Sequence, residues 1–265
     1  ANANLVNGVG AAADFVPGFN QPFLMFNTKR TPFSDVRVRQ AIFYAINVET
    51  MISNIEGGHA TAATSFLIKT MPHYHKASTV YTYDPEKAKQ LLKEAGVSDL
   101  KFTLLTNTTF VKALVPQIVN DLKAIGVTCT ADIQDMPWSK LTEADPDFDV
   151  VLTGGDATCF GNDPDILMGW WYNDNLWMNS RSCWKVTNPD KWQELQDLMQ
   201  TARESSDATK QQDAWNKCFD IIAENVPLYP LYHQDMVTGY YPKKLEGFQP
   251  ISTTGLTFMG VTPVK

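Results

Sequence analysis

DPEKAKQLLKEAGVSDLKFTLLTNTTFVKALVPQIVNDLKAIGVTCTADIQ, residues 84–134, sets the class of fold. Asp84 stands where a helix N-cap accepts backbone N–H groups, and Pro85 fills the first helical position, where a missing N–H costs nothing. Ala88, Leu91, Leu92 and Ala95 recur at helical spacing, and Gly96 supplies the stop. LKFTLLTN (100–107) then alternates as a strand, 112–125 reads as a second helix closed by Gly126, and VTCTADIQ (127–134) alternates again. FDVVLT (148–153) is a short buried strand. Helix, strand, helix, strand, strand predicts an α/β layer of helices on a sheet, with right-handed crossovers between parallel strands.

Upstream, TPFSDVRVRQAIFYAINVETMISNIEGG (31–58) reads as one amphipathic helix. Ser34 is placed to cap it, and Asp35 puts an acid in its first turn. Val38, Ala41, Ile42, Ala45, Ile46 and Ile52 form its apolar stripe, Arg37, Arg39, Asn47 and Glu49 fall mostly off it, and Gly57-Gly58 ends it. PFLMFN (22–27) is a strand feeding this helix, while residues 1–20 read as loop and 60–83 as an extended excursion. His59, His73 and His75 lie along that excursion, and a His-x-His pair could face a metal such as nickel. No cysteine or paired carboxylate adjoins them, so they are read as surface histidines.

Downstream, GGDATCFGNDPDILMGWWYNDNLWMNSRSCW (154–184) changes character to Gly, Asn and Asp interleaved with aromatics. Polar glycine-rich loops at strand ends are where α/β proteins bind ligands, and aromatic walls with a few orienting polar groups suit a small solute. Trp170, Trp171 and Trp177 either wall such a pocket or pack the core. Asp163-Pro164 looks like a helix cap followed by its first residue. Asp156, after Gly-Gly at a strand end, can point into a cleft and hold a substrate ammonium. Helices follow at 189–205 and 208–224, then a strand at 227–232 and, from 239, a proline-bearing tail of little period.

A chain of 265 residues with 44% hydrophobic and 19% charged residues is globular. A net charge of −7 with scattered Lys and Arg argues against nucleic acid as a partner. No apolar run approaches the length of a membrane span, and the first residues lack the basic and apolar regions of a signal peptide. No CxxC occurs; Cys129 and Cys218 read as buried thiols, and an oxidising compartment would allow a bridge between Cys159 and Cys183. Neither a G-x-S-x-G elbow nor a GK[ST] loop is present, so no metal, cofactor or catalytic residue is expected. A hydrolase built on two carboxylates stays as the alternative from a different class.

The wording is more specific than the pattern. A strand ending in FN, then PF-x-DVRVRQAI-x-YAI, a Gly-Gly stop, YDPEKAKQLLKEAG, an FDV strand, a DP loop and IIAENVPLYPLY together resemble family 5 of the extracytoplasmic solute-binding proteins. These are the oligopeptide-, dipeptide- and nickel-binding receptors of ABC importers. The resemblance spans about 23–239 and implies the C-terminal lobe of a type II periplasmic-binding-protein fold, a mixed sheet flanked by helices. It implies residues 1–22 as linker or remnant of an N-terminal lobe, 23–238 as the ligand-binding lobe, and 239–265 as a tail returning to the other lobe. Implied partners are a peptide or other small solute and a membrane permease; the implied location is the periplasm or, as a lipoprotein, the cell surface.

Peptide-binding members carry an Asp between the FDV strand and the DP loop that pairs with the peptide's α-amino group. An ungapped count back from Asp163-Pro164 puts Phe160 at that position; Asp156 serves only if the loop is lengthened here. A stacking aromatic such as Phe160 or Trp170 equally suits a sugar, which some relatives bind. The expected ligand-binding set is Asp156, Phe160, Asn162, Asp163, Trp170, Trp171 and Trp177.

Overall fold

The computed structural model describes residues 10–108, 112–142, 146–156, 163–252 and 255–264. Its central strand, β1 (Ala12–Phe26), is followed by α1 (Val36–Ala45), α2 (Val48–Asn54), β2 (Ala60–Ala62) and α3 (Pro85–Glu94). Then come β3 (Lys101–Asn107), a 3-10 turn (Lys112–Leu114), α4 (Val115–Ala124), β4 (Thr128–Gln134), α5 (Trp138–Thr142) and β5 (Val150–Asp156). The chain continues through α6 (Pro164–Tyr172), a π turn (Trp177–Arg181), α7 (Trp184–Thr187), α8 (Pro189–Glu204) and α9 (Ala208–Asn225). It finishes with β6 (Leu228–Pro230), β7 (Tyr232–Tyr240), β8 (Leu245–Glu246) and β9 (Thr262–Pro263).

The main sheet runs β2-β7-β1-β5-β3-β4, with β6 also on β1. β3 is parallel to β4 and β5, whereas β1 is antiparallel to β5, β6 and β7, so the sheet is mixed as expected. Phe23, Leu24, Met25 and Phe26 are fully buried, consistent with a strand at the centre of the sheet. The α3 boundary reads as anticipated: the Asp84 carboxylate accepts from Lys87 N at 2.9 Å and Pro85 opens the helix. Cys129 and Cys218 are buried thiols, and burial pushes both up to about 12.

Several expectations need correction. The helix over 31–58 is two helices, because Ile46 is extended and Asn47 starts again as a cap, its side chain accepting from Thr50 N at 3.0 Å. The Asp121 carboxylate takes the Asn47 N–H at 2.8 Å and fixes the break. The first cap is Asp35, not Ser34, with Oδ1 accepting from Arg37 N at 2.9 Å. Arg39 is fully buried rather than off the stripe: its guanidinium donates to the carbonyls of Phe33 (2.7 Å), Ser34 (3.2 Å) and Asn225 (2.7 and 2.9 Å). Desolvation lowers its pKa to about 10, so it stays charged at neutral pH.

The first strand starts at Ala12, so residues 12–20 are not loop; Ala12–Pro17 pair with Asp235–Tyr240 of β7. The strand expected at 227–232 is interrupted at Leu231, whose N–H turns to Pro22 O at 2.9 Å. Most of 164–187 is helical rather than loop, since the Asp163 cap and Pro164 start a helix that buries Leu167, Met168, Trp171 and Tyr172.

Candidate functional site

The parallel strands end along one edge of the sheet. Asn107 of β3 lies in register with Gln134 of β4, Thr106 with Leu152 of β5, and β5 runs on through Gly154-Gly155-Asp156. Carboxyl ends of parallel strands are the usual ligand side of an α/β sheet. The antiparallel β1 brings Gln21 opposite Gly155 and Asn20 opposite Asp156.

Gly155 has a steric reason. A Cβ there would lie 2.9 Å from Trp171 Cζ2 and 3.1 Å from Phe23 Cε1, so only glycine lets the indole lie against the strand. Trp171 meets Phe23 edge-on with centroids at 4.9 Å and Trp177 at 4.5 Å. The Arg181 guanidinium sits 4.0 Å over the Trp177 ring, a cation–π contact. Arg181 is half-buried and, among the described residues, makes no ion pair; desolvation lowers its pKa.

Several buried polar atoms on and beside these strand ends have no partner among the described residues: Gln21 Nε2, Trp171 Nε1, Arg181 Nε, Thr106 Oγ1 and Asn20 Oδ1. Gln21 is 1% exposed and Trp171 5%, so bulk solvent does not reach their N–H groups, and an unmet buried donor costs about 1–3 kcal/mol. The unmet nitrogens of Gln21, Trp171 and Arg181 are all donors.

The expected ligand-binding residues divide. Asp156 ends β5, whereas Phe160 and Asn162 lie outside the described residues, as does Cys159 and therefore the bridge to Cys183. The Asp163 carboxylate accepts from Asp165 N at 2.9 Å as the cap of α6, and Asp165 pairs with Arg203 at 2.7 Å. Trp171 is buried under the strand end, Trp177 is partly buried, and Trp170 is half exposed. Gln21, Thr106 and Arg181 were not anticipated. Nothing in the sequence marks them, because their significance is the lack of a partner in three dimensions.

The histidines are occupied locally. His59 stacks on Phe15, His73 Nδ1 lies 3.0 Å from Gln212 Oε1, and His75 Nε2 lies 3.1 Å from Asp220 Oδ1. Among the described residues no group of His, Cys, Asp and Glu is placed to hold a metal. Among them, too, no helix is long and apolar enough to cross a membrane.

Comparison with known proteins adds a second line of evidence. The sequence profile of bacterial extracellular solute-binding proteins, family 5 (middle), matches residues 2–178. The dipeptide-binding protein of Escherichia coli is 28% identical over 235 residues, covering 82% of this chain and 41% of that protein. A periplasmic binding protein of Helicobacter pylori, solved with the peptide STSA, superposes with a TM-score of 0.79 at 23% identity, covering 100% of this chain and 52% of the other. A Campylobacter jejuni protein solved with Ni(L-His) gives 0.73 at 21% identity over 93% and 52%. The chain thus spans about half the length of the relatives it matches.

Proposed function

Since the chain belongs to family 5 of the bacterial extracellular solute-binding proteins, we propose that it forms the ligand-facing lobe of a receptor that captures a peptide outside the membrane for an ABC permease. The observation that carries this reading is the set of donors on and beside the strand edge that are unmet among the described residues, Gln21 Nε2, Trp171 Nε1 and Arg181 Nε. A peptide backbone offers carbonyl oxygens at short intervals and a carboxylate at one end, which is what such a set lacks.

In this reading Arg181, held on Trp177, takes the terminal carboxylate. Asp156, or an acid from outside this chain, takes the α-amino group. Phe160, Asn162 and the half-exposed Trp170 line the solute, Trp171 and Trp177 form the wall behind it, and Asp163 orients the loop by capping α6. The protein binds rather than converts its solute, as the family description implies. Residues 23–238 act as one lobe, and the ribbon of Ala12–Pro17 on Asp235–Tyr240 leads, with 239–265, toward the other half. The receptor works outside the cytoplasm, in the periplasm or anchored as a lipoprotein.

The test is calorimetry on the full-length protein with di- to hexapeptides, oligosaccharides and a nickel–histidine complex. Peptide binding that weakens with Asp156→Asn supports the amine anchor. Sugar or nickel binding with no response to any peptide overturns the peptide assignment.

A further inference from the structure

On the other side of β1 from β5, a cavity of about 290 Å3 opens between β1, β2, β7 and the segment that follows β2. Pro17, Ala62, Leu67 and Ile68 form apolar walls, and the buried His233 and partly buried Asp235 supply its polar side. A bulge in the β1–β7 pairing between Pro17 and Asn20 shapes it. Gly18 permits the bulge: a Cβ there would lie 2.6 Å from Gln234 O and 2.7 Å from Met236 Cγ. Bulges of this kind re-aim side chains and recur beside functional sites.

His233 is 5% exposed, and burial lowers its pKa to about 4, so the ring is neutral. Its Nε2 faces Ser65 O at 3.4 Å, and because a carbonyl oxygen only accepts, this contact assigns the proton to Nε2; Nδ1 is then an acceptor, buried and without a partner among the described residues. Two residues along the same face of β7, the Asp235 carboxylate has neither a hydrogen bond nor an ion pair among the described residues; desolvation raises its pKa, and the nearby His59 pulls it down. Lys69, exposed, is a cation of the lining that makes no ion pair among the described residues.

From these features we infer a second ligand site, separate from the strand-edge site, for a primary ammonium carrying a compact apolar body, such as a free apolar amino acid. The ammonium donates to the Asp235 carboxylate and His233 Nδ1. The hydrocarbon body lies on Pro17, Ala62, Leu67 and Ile68. The carboxylate of an amino acid meets Lys69. The cavity is near the small end of ligand pockets, about 300–1,000 Å3, which sets the size of the guest.

The experiment titrates the full-length protein with isopentylamine, leucine and 4-methylpentanoate by calorimetry, and repeats the titrations on variants whose fold is checked by circular dichroism. The amine and leucine bind saturably and the acid does not. Asp235→Asn weakens both at least tenfold, Ala62→Phe fills the cavity and abolishes binding, and Trp170→Ala leaves it intact. Peptide titrations of Asp235→Asn and Ala62→Phe stay unchanged, which separates failure here from failure at the strand edge. The inference is overturned if neither amine binds, if the acid binds as well as the amine, or if binding follows Trp170→Ala rather than the cavity variants.

Discussion

Two arginines divide the molecule into a frame and a site. Arg39, at the centre of the frame, is fully buried and surrounded by the carbonyls of Phe33, Ser34 and Asn225. Arg181, beside the strand edge, is half-buried, stacked on Trp177, and among the described residues has no oxygen on its Nε. Desolvation lowers the pKa of both, so burial alone does not tell them apart. The carbonyls do: a cation whose oxygens come from its own chain holds the fold, whereas one without them is, in the proposed reading, set for an anion from outside.

The largest effect expected is on the frame. Arg39→Ala removes the donors to the buried Phe33 carbonyl and the partly buried carbonyls of Ser34 and Asn225 and opens a cavity, and should cost about 3–5 kcal/mol in urea denaturation. A loss below about 1 kcal/mol would make Arg39 as dispensable as a surface residue and erase the contrast.

His233 sharpens the comparison from another side, since it is buried with one side-chain hydrogen bond among the described residues, at 3.4 Å, and gives up its proton instead of being held charged. Its folded pKa of about 4 lies below the ordinary 6.5, so the unfolded chain binds the proton first. Stability is therefore full above pH 6.5 and falls between 6.5 and 4, by on the order of 3 kcal/mol for this group. His233→Gln should flatten that part of the pH–stability curve; an unchanged curve would show that the ring is not desolvated.

Gly155→Ala is a smaller perturbation on the site side. The new methyl meets Trp171 and Phe23 and should cost about 1–3 kcal/mol, with a shift in tryptophan emission as the indole moves. Smallest of all is the stability effect of Arg181→Gln, about 0.5–1 kcal/mol from the lost cation–π contact with Trp177, because no bond from its Nε among the described residues is lost. A large destabilisation would place Arg181 in the frame.

The frame was legible where local chemistry decides it. Asp84, Pro85 and Gly96 bound α3, alternation gave β3 and β4, and the apolar stripes of α8 and α9 match the buried Trp192, Leu195, Trp215 and Phe219. It was not legible where a distant residue decides. The break at Asn47 depends on Asp121, 74 residues away, and the burial of Arg39 on Asn225, 186 away. The first half of β1 was hidden by Pro17 and Gly18, which read as turn residues but form a bulge against β7.

At the site, the Asp163 cap and the aromatic cluster were readable from residue type. Which tryptophan is wall and which is exposed was not, because Gly155 decides it by giving Trp171 its place. Arg181 carried no local signal, since a lone arginine in a polar stretch reads as a solvated face.

The most direct measurement of the central claim is the affinity of the full-length protein for one tetrapeptide and for its C-terminally amidated form, on wild type and on Arg181→Gln. An anion-seeking Arg181 predicts that amidation and Arg181→Gln each weaken binding at least tenfold and that the two losses do not add. Binding indifferent to both changes would contradict it, leaving Arg181 a bystander and the strand edge without its anchor.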